Sequence, residues 1–293
     1  MNQERFLSKE TILGNRAKQI RRQNFVYSLL YLAAFLAVGV LFVIIGHIFV
    51  NGLKEISWEF LTSSVKDSGR KGGIFPVIIN TLYFVGLGLL IAAPLSILAA
   101  IYMTEYSRQG PVIKIIRYFT ANLAGIPSII FGLFGFMVFN KFFGWGYSLL
   151  SGAATAAVVI LPTLIRTSEE AIMTVPIGYK EGSLALGATK WQTMRKVVLP
   201  TASPGIINGI ILGMGRIFGE TAALLFTLGM GTKLVKSLFE SSRSLSLHLY
   251  MMVKEVSPSK GYGTAVLLVI IVLILNLIAG AFSRRVNRYK ENL

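Results

Sequence analysis

Six long runs of apolar residues constrain this 293-residue chain more than any other feature. An α-helix needs about 20 mostly apolar residues to cross the hydrocarbon core of a bilayer. The runs cover 26–50, 75–103, 117–139, 149–165, 206–228 and 262–282. Only 14% of the residues are charged, whereas soluble domains have roughly 25%, so charge cannot cover the surface. The sequence therefore predicts an all-α, polytopic membrane protein with six transmembrane helices.

The first run sets the predicted domain order. Val26–Val50 follows a basic N-terminal tail, 1–25, and is longer than the apolar region of about 7–15 residues in a signal peptide. We expect an uncleaved anchor there, an outer loop at 51–74, a membrane core at 75–283 and a basic C-terminal tail at 284–293. Lys and Arg are more frequent in the segments on the side of the two termini, which favours cytoplasmic termini.

Composition argues against several classes of function. The net charge of +16 is spread between the apolar runs and not over one polar face, which argues against nucleic-acid binding. The chain has no cysteine and only two histidines, His47 and His248, so a metal centre is not expected. The outer loops contain more bases than acids. Their charge either attracts an anionic solute or serves solubility and partner contacts.

The polar segment between the fourth and fifth runs is predicted to form two short helices. Gly187 is a natural left-handed stop for the first helix. Thr189 and Gln192 have the spacing of a capping box that starts the second. Pro200 and Pro204 are expected to separate that helix from the fifth run. Such a unit suits docking on a partner, although an ordinary interfacial loop would have the same pattern.

This segment resembles the EAA loop of binding-protein-dependent ABC importer permeases. The matching positions are Glu181, Gly187, Leu199 and Pro200, together with Val197 for the family's isoleucine and Gly182–Ser183 for its two alanines. The resemblance implies that 167–200 is a coupling segment. It also implies that the first four of these residues help to seat a short helix in a groove of a separate ATP-binding subunit.

No phosphate-binding loop accompanies the coupling segment. Gly229–Lys233 is superficially similar, but it lacks the Gly, four residues, Gly-Lys-Ser/Thr spacing that cradles phosphates. The chain is therefore expected to be a non-catalytic membrane subunit without a cofactor of its own. The resemblance implies that ATP and Mg²⁺ are bound by partner subunits.

Arg216 and Glu220 are charged residues within the fifth run. A charge at the bilayer centre costs roughly 2.5–3.5 kcal/mol on insertion scales, and two residues four apart on a helix can pair. Both share a predicted face with several glycines. One hypothesis is that Arg216 offers its guanidinium to an anionic solute while Glu220 holds or releases it. The alternative is a structural ion pair that locks two helices together.

A second charged cluster stands at the end of the fourth run. Arg166 is followed by Glu169 and Glu170, and this spacing permits an Arg–Glu pair at the inner mouth of a path. In the alternative interpretation, Arg166 only extends to the lipid headgroups. The sequence does not decide between the two.

Three further stretches are similar to the PstA family of permeases. They are 124–133, Leu161–Pro162 with 166–170, and 216–221. The similarity implies a type I (MetI-like) ABC importer permease for inorganic phosphate, in the inner membrane of a prokaryote. The residues it implicates in phosphate passage are Arg166, Glu169, Arg216 and Glu220. The implied partners are a sister permease, two ATP-binding subunits, an external phosphate-binding protein and membrane lipid.

Three rival functions are considered. A permease of the same class for another anion, such as molybdate or sulfate, would carry the same coupling segment. An ion-driven secondary transporter would have inverted internal repeats, and none is visible in the sequence. A scaffold that only recruits a soluble ATPase would tolerate the loss of Arg216, whereas a permease for anions would not.

Overall fold

The computed structural model describes residues 2–69, 71–108, 110–256 and 258–291 of the chain. Side chains are described between Arg22 and Ser283, except at 68, 70, 109, 257, 258 and 282. Most side chains of the two predicted basic tails, 1–25 and 284–293, therefore lie outside the described part.

Within these residues the chain is mostly helical. The α-helices are α1 (Asn2–Gly52), α2 (Trp58–Thr62), α3 (Phe75–Ile101), α4 (Pro111–Leu123), α5 (Ser128–Gly135), α6 (Leu149–Met173), α7 (Ile177–Ala185), α8 (Lys190–Thr193), α9 (Leu199–Gly219), α10 (Leu245–Met251) and α11 (Pro258–Glu291). Turns of π-helix extend α3 (Tyr102–Tyr106), α5 (Phe136–Phe142) and α10 (Met252–Val256), and another, Met194–Val198, joins α8 to α9. Two short antiparallel strands, β1 (Val65–Lys66) and β2 (Lys71–Gly72), form a hairpin.

The contacts divide the chain after Asn51 into two units. The first unit is the greater part of α1, whose apolar side chains from Phe25 to Val50 are mostly exposed. A helix that is apolar on all sides suits a lipid environment, because its backbone groups are paired internally. The anchor predicted at 26–50 thus coincides with part of a continuous helix.

Five helical stretches among the described residues are long and apolar enough to cross a membrane, and a bent pair of helices makes a sixth if it counts as one span. The five are Arg22–Glu55, Phe75–Tyr106, Leu149–Met173, Lys190–Gly219 and Ser259–Ala281. The predicted fold class, an all-α polytopic membrane protein, is confirmed. The fourth predicted run is longer than expected, so Arg166, Glu169 and Glu170 lie on α6.

The third predicted span, 117–139, is wrong as a single helix. α4 and the stretch formed by α5 with its π-helical turn meet at an angle of 103°. The break contains Gly125 and Pro127. Proline has no backbone N–H and disfavours a helical conformation at the residue before it. Helix α4 therefore ends where this sequence begins.

The fifth predicted span, 206–228, is displaced towards the N-terminus. α9 continues from α8 through the π-helical turn, so Pro200 and Pro204 lie within one helical stretch and do not separate two. Pro204 leaves the carbonyl of Pro200 without its helical amide partner. Ser203 Oγ donates a hydrogen bond to that carbonyl at 2.8 Å. A local hydroxyl thus replaces the missing amide and the helix continues.

α3, α6 and α9 pack together as the core of the second unit. Small residues let the helices approach closely: a Cβ on Gly213 of α9 would lie 3.2 Å from Leu164 Cδ2 of α6. α5 approaches the segment after α9 in the same way, since a Cβ on Gly132 would lie 2.7 Å from Ala223 Cα. We call the end of this bundle that carries α7 the α7 end, and the end that carries β1 and β2 the hairpin end.

Buried polar side chains hold the hairpin end together. Asn80 of α3 donates from Nδ2 to the carbonyl of Lys233 at 2.8 Å and accepts from the amide of Val235 at 3.1 Å. Arg243 donates to a backbone carbonyl of the same segment at 3.1 Å. Burial and the nearby Arg243 guanidinium lower the pKa of His248 to about 3, so this imidazole is neutral at neutral pH. These contacts fix the chain between α9 and α10.

The replacement Gly132→Val should destabilise the protein, because its side chain would collide with the backbone of Ala223. Overpacking of this kind costs about 1–3 kcal/mol, and we expect a lower midpoint of thermal unfolding for the purified protein in detergent micelles. Gly86→Val is the matched control, since no heavy atom lies within 4 Å of a Cβ at that position. Equal midpoints for the two variants would contradict the close contact.

Candidate functional site

Arg216 lies at mid-depth of the helical bundle. The next residue, Ile217, packs against α3, where its Cδ1 would lie 3.3 Å from a Cβ on Gly88. Gly88 is the midpoint of α3. The Arg216 side chain is exposed, and no ion pair to it is found in the described part of the chain. A guanidinium at this depth without a carboxylate is available to an anion.

Glu220 does not pair with Arg216, contrary to the sequence-based expectation. α9 stops at Gly219, and Glu220 has an extended backbone with φ −71° and ψ 125°. The rule that residues four apart share a face holds only within a helix. The buried Glu220 carboxylate accepts a hydrogen bond from the amide of Ala223 at 3.1 Å, and its carbonyl accepts one from Ser246 Oγ at 2.6 Å. Glu220 thus closes the turn after α9.

The sequence predicts one face for Arg216 and several glycines of α9, but three of these glycines, Gly205, Gly209 and Gly213, face α6 instead. Cβ atoms added to Gly205 and Gly213 would lie 2.6 Å and 3.2 Å from side chains of α6. Around Gly215, next to Arg216, no heavy atom lies within 4 Å of an added Cβ. The glycines at 205 and 213 therefore serve helix packing, while the surface beside Arg216 is open.

Two ion pairs occupy the α7 end of α6. Arg166 pairs with Glu170 at 2.9 Å, and both side chains are largely exposed, by 70% and 61%. Glu169 pairs instead with Arg117 of α4, whose Nη2 and Nε lie 2.6 Å and 2.7 Å from the same carboxylate oxygen. The Glu169 side chain is only 11% exposed. The predicted Arg–Glu pair is present, and a second pair links α4 to α6.

Arg117 is a charged residue of this cluster that the sequence analysis missed. It lies 52 residues from Glu169 along the chain, and no local pattern joins the two. The fold brings them together because α4 lies beside the α7 end of α6 and does not continue straight into α5. A basic residue at the boundary of an apolar run was the available signal.

A cavity of about 360 Å³ opens beside both pairs. A second cavity of about 590 Å³ shares Arg117 and Met173 with it and extends to α7. Guanidinium groups bind oxyanions through paired N–H donors, so an oxyanion here would compete with Glu169 and Glu170 for the two arginines. Within the described residues, no group of three or more His, Asp or Glu side chains is placed to hold a metal ion.

α7 and α8 have the local geometry that the sequence predicts. Gly187 has φ +84°, a backbone conformation that is unfavourable for residues with a Cβ atom. The chain there makes the two backward hydrogen bonds of a Schellman motif. Thr189 and Gln192 form the capping box that starts α8. The predicted helix–stop–helix unit is confirmed, while Leu199 and Pro200 begin α9.

The surface of this unit is open and partly apolar. No residue of α7 is buried, and Glu181 is exposed. Leu186 is 91% exposed, Ile177 71% and Trp191 50%. Apolar side chains exposed together beside polar ones mark surfaces that contact other proteins or membranes.

Known proteins similar to this chain are transporter permeases. The family model described as binding-protein-dependent transport system inner membrane component matches residues 92–289. The probable ABC transporter permease protein YqgI of Bacillus subtilis is 35% identical over 266 residues, which cover 85% of this chain and 90% of YqgI. The phosphate transport system permease protein PstA of Haemophilus influenzae is 31% identical over 248 residues, which cover 82% of this chain and 86% of PstA.

A solved structure shares the fold. It is a bacterial alginate ABC transporter in complex with an alginate pentasaccharide-bound periplasmic protein. The TM-score is 0.68 with 18% identity, over 92% of this chain and 97% of that chain. At this identity the likeness shows the fold alone, and together with the family match it confirms the predicted importer-permease core.

The replacement Glu169→Gln should destabilise the protein more than Glu170→Gln. Glu169 accepts two charge-assisted hydrogen bonds in a mostly buried site. Glutamine keeps the acceptor oxygen but not the charge, so bonds that contribute about 1.5–3 kcal/mol each fall to roughly half that strength. Glu170 belongs to an exposed pair within one helix, and such pairs contribute little to stability. The midpoint of thermal unfolding in detergent micelles measures both. An equal or larger loss for Glu170→Gln would contradict the burial of the α4–α6 pair.

Proposed function

Because the chain belongs to the family of binding-protein-dependent transport system inner membrane components, we propose that it forms part of the membrane path of an ATP-driven importer of inorganic phosphate. Family membership makes it a permease subunit of an ABC importer, a membrane component whose ATP is hydrolysed by separate subunits. Family membership does not define the cargo, its path or the docked partners, and these are proposed here.

The position of Arg216 is the observation that supports an anion as the cargo. Its guanidinium lies at mid-depth, exposed and without a carboxylate among the described residues. An isolated charge there costs roughly 2.5–3.5 kcal/mol on insertion scales, so Arg216 must face a polar path or a partner chain and not lipid. A guanidinium binds a tetrahedral oxyanion through two parallel N–H donors. Phosphate is the cargo named for the Haemophilus influenzae relative.

The cluster at the α7 end would receive the anion after Arg216. Arg117 and Arg166 lie beside the 360 Å³ cavity, and each is neutralised by a glutamate. An arriving phosphate would take over a guanidinium and release Glu169 or Glu170. Because the anion must displace a glutamate, it is bound weakly enough to leave again, as conduction requires. Glu220 would contribute indirectly, by fixing the turn that follows α9.

α7 and α8 would dock on an ATP-binding subunit. Glu181 and Gly187 belong to this exposed unit, and Leu199 and Pro200 are the first residues of α9, which follows it. The complete importer would contain a sister permease, two subunits that hold ATP and Mg²⁺, and an external phosphate-binding protein. The distribution of Lys and Arg favours cytoplasmic termini and a cytoplasmic α7 end, in the inner membrane of a prokaryote.

Another oxyanion is the second candidate cargo. The name of the Bacillus subtilis relative gives no substrate, and guanidinium donors serve sulfate or molybdate as well as phosphate. Excess sulfate and molybdate should leave the uptake of radiolabelled phosphate unchanged. Inhibition by either at concentrations comparable to phosphate would support the alternative. Uptake that needs no nucleotide would support an ion-driven carrier, which family membership argues against.

The replacement Arg216→Gln should lower phosphate uptake by about tenfold or more, because a hydrogen bond to a charged group contributes about 1.5–3 kcal/mol and each 1.4 kcal/mol is tenfold. The measurement is ATP-dependent uptake of radiolabelled phosphate into proteoliposomes that contain the assembled importer. Arg108→Gln removes an exposed arginine elsewhere and is the matched control. Unchanged uptake by an assembled Arg216→Gln complex would exclude Arg216 from the path and favour a scaffold.

A further inference from the structure

An ion pair joins α7 to the membrane helices. Lys180 of α7 pairs with Glu105, which lies in the π-helical turn that extends α3. Both side chains are only partly exposed, by 20% and 26%. Among the described residues, this is the only ion pair between α7 and a membrane helix.

α7 itself contributes little apolar packing beside this pair, since the buried Met194 and Val198 nearby belong to the turn between α8 and α9. Two cavities, of about 590 Å³ and 90 Å³, adjoin it, and both are lined by Lys180 and Glu105. No residue of α7 is buried. The contact between α7 and α3 therefore depends on two oppositely charged side chains more than on close-packed apolar ones.

α3 leads from this pair to the middle of the bundle. The helical stretch Phe75–Tyr106 is continuous between the two points. At its α-helical midpoint, Gly88 adjoins Ile217, the residue after Arg216. A displacement of Lys180 that moves α3 would therefore reach the depth of the bundle at which Arg216 lies.

We propose that the Lys180–Glu105 pair is the strut through which a docked ATP-binding subunit moves α3. Both are positioning residues for the transport step, and neither touches the cargo. The inference rests on the proposed docking of that subunit on α7 and α8, but not on the identity of the cargo. Opposite charges resist separation as well as approach, so the pair transmits a pull as well as a push. Apolar contacts bordered by cavities transmit a pull poorly.

A single cysteine tests the strut without reference to the cargo. The chain has no cysteine, so Gly215→Cys, in open space beside Arg216, gives it one labelling site. In the complex assembled with its ATP-binding subunits, we expect ATP to change the rate of maleimide labelling by about fivefold or more. Lys180→Glu and Glu105→Lys should each abolish this response, while the ATP-binding subunits still co-purify and hydrolyse ATP. The double variant with exchanged charges should restore it to within about twofold.

Further variants separate the strut from general effects of charge. Lys114→Glu reverses an exposed lysine on α4 and should leave the ATP response unchanged. If reversed charges prevent assembly, Lys180→Gln and Glu105→Gln, which remove one charge each, decide, and each should diminish the response.

The outcomes are distinguishable. The strut is overturned if the single variants keep an unchanged ATP response, or if the assembled double variant does not recover the response. It is also overturned if ATP does not change the labelling rate of the chain that carries Gly215→Cys alone. Failure of the ATP-binding subunits to co-purify with the unaltered chain would overturn the proposed docking, and the strut with it. An intact ATP response without phosphate uptake would overturn the proposed cargo alone.

Discussion

A membrane helix can stop inside a bilayer only where the protein itself satisfies the backbone groups left unpaired by the stop. The turn after α9 meets this condition: α9 ends at mid-depth, and α5 packs against the residues that follow it. Glu220 accepts a hydrogen bond from the amide of Ala223, and Ser246 donates one to the carbonyl of Glu220. Gly132 lets α5 approach this turn closely, since a Cβ at position 132 would lie 2.7 Å from Ala223 Cα. The turn after α9 is therefore closed by its own polar contacts and covered by α5, whereas Gly125 and Pro127 of the break between α4 and α5 are exposed.

This arrangement sets where charge lies in the bundle. Because α9 stops at Gly219, Arg216 occupies its last turn at mid-depth and loses the partner that a longer helix would have supplied. The three ion pairs found among the described residues lie at the α7 end, on α3, α4, α6 and α7. An anion would thus meet an unneutralised cation at mid-depth and neutralised cations at the exit. The same end carries the exposed unit of α7 and α8, so the proposed exit and the proposed motor contact are neighbours.

Local chemistry made part of this predictable from the sequence. Gly187 and the Thr189–Gln192 capping box act within a few residues, and both have the expected geometry. Long apolar runs likewise identify the spans, because they depend on composition alone. The Arg117–Glu169 pair was not predictable, since it joins residues 52 apart whose approach depends on the break between α4 and α5. The early end of α9 was not predictable either, because Glu220 leaves the helix for partners supplied by distant segments.

The proposed function depends most on α7 and α8 being the place where a separate ATP-binding subunit docks. In a chain without cysteine, Leu186→Cys puts a single thiol on that surface, and Phe142→Cys puts one at the far end of the α5 stretch. Both side chains are highly exposed, by 91% and 81%. After labelling with a photoreactive maleimide, docking on α7 and α8 predicts a cross-link to the ATP-binding subunit from position 186 and none from position 142. A cross-link from 142 alone, or from neither position in an assembled complex, would contradict it.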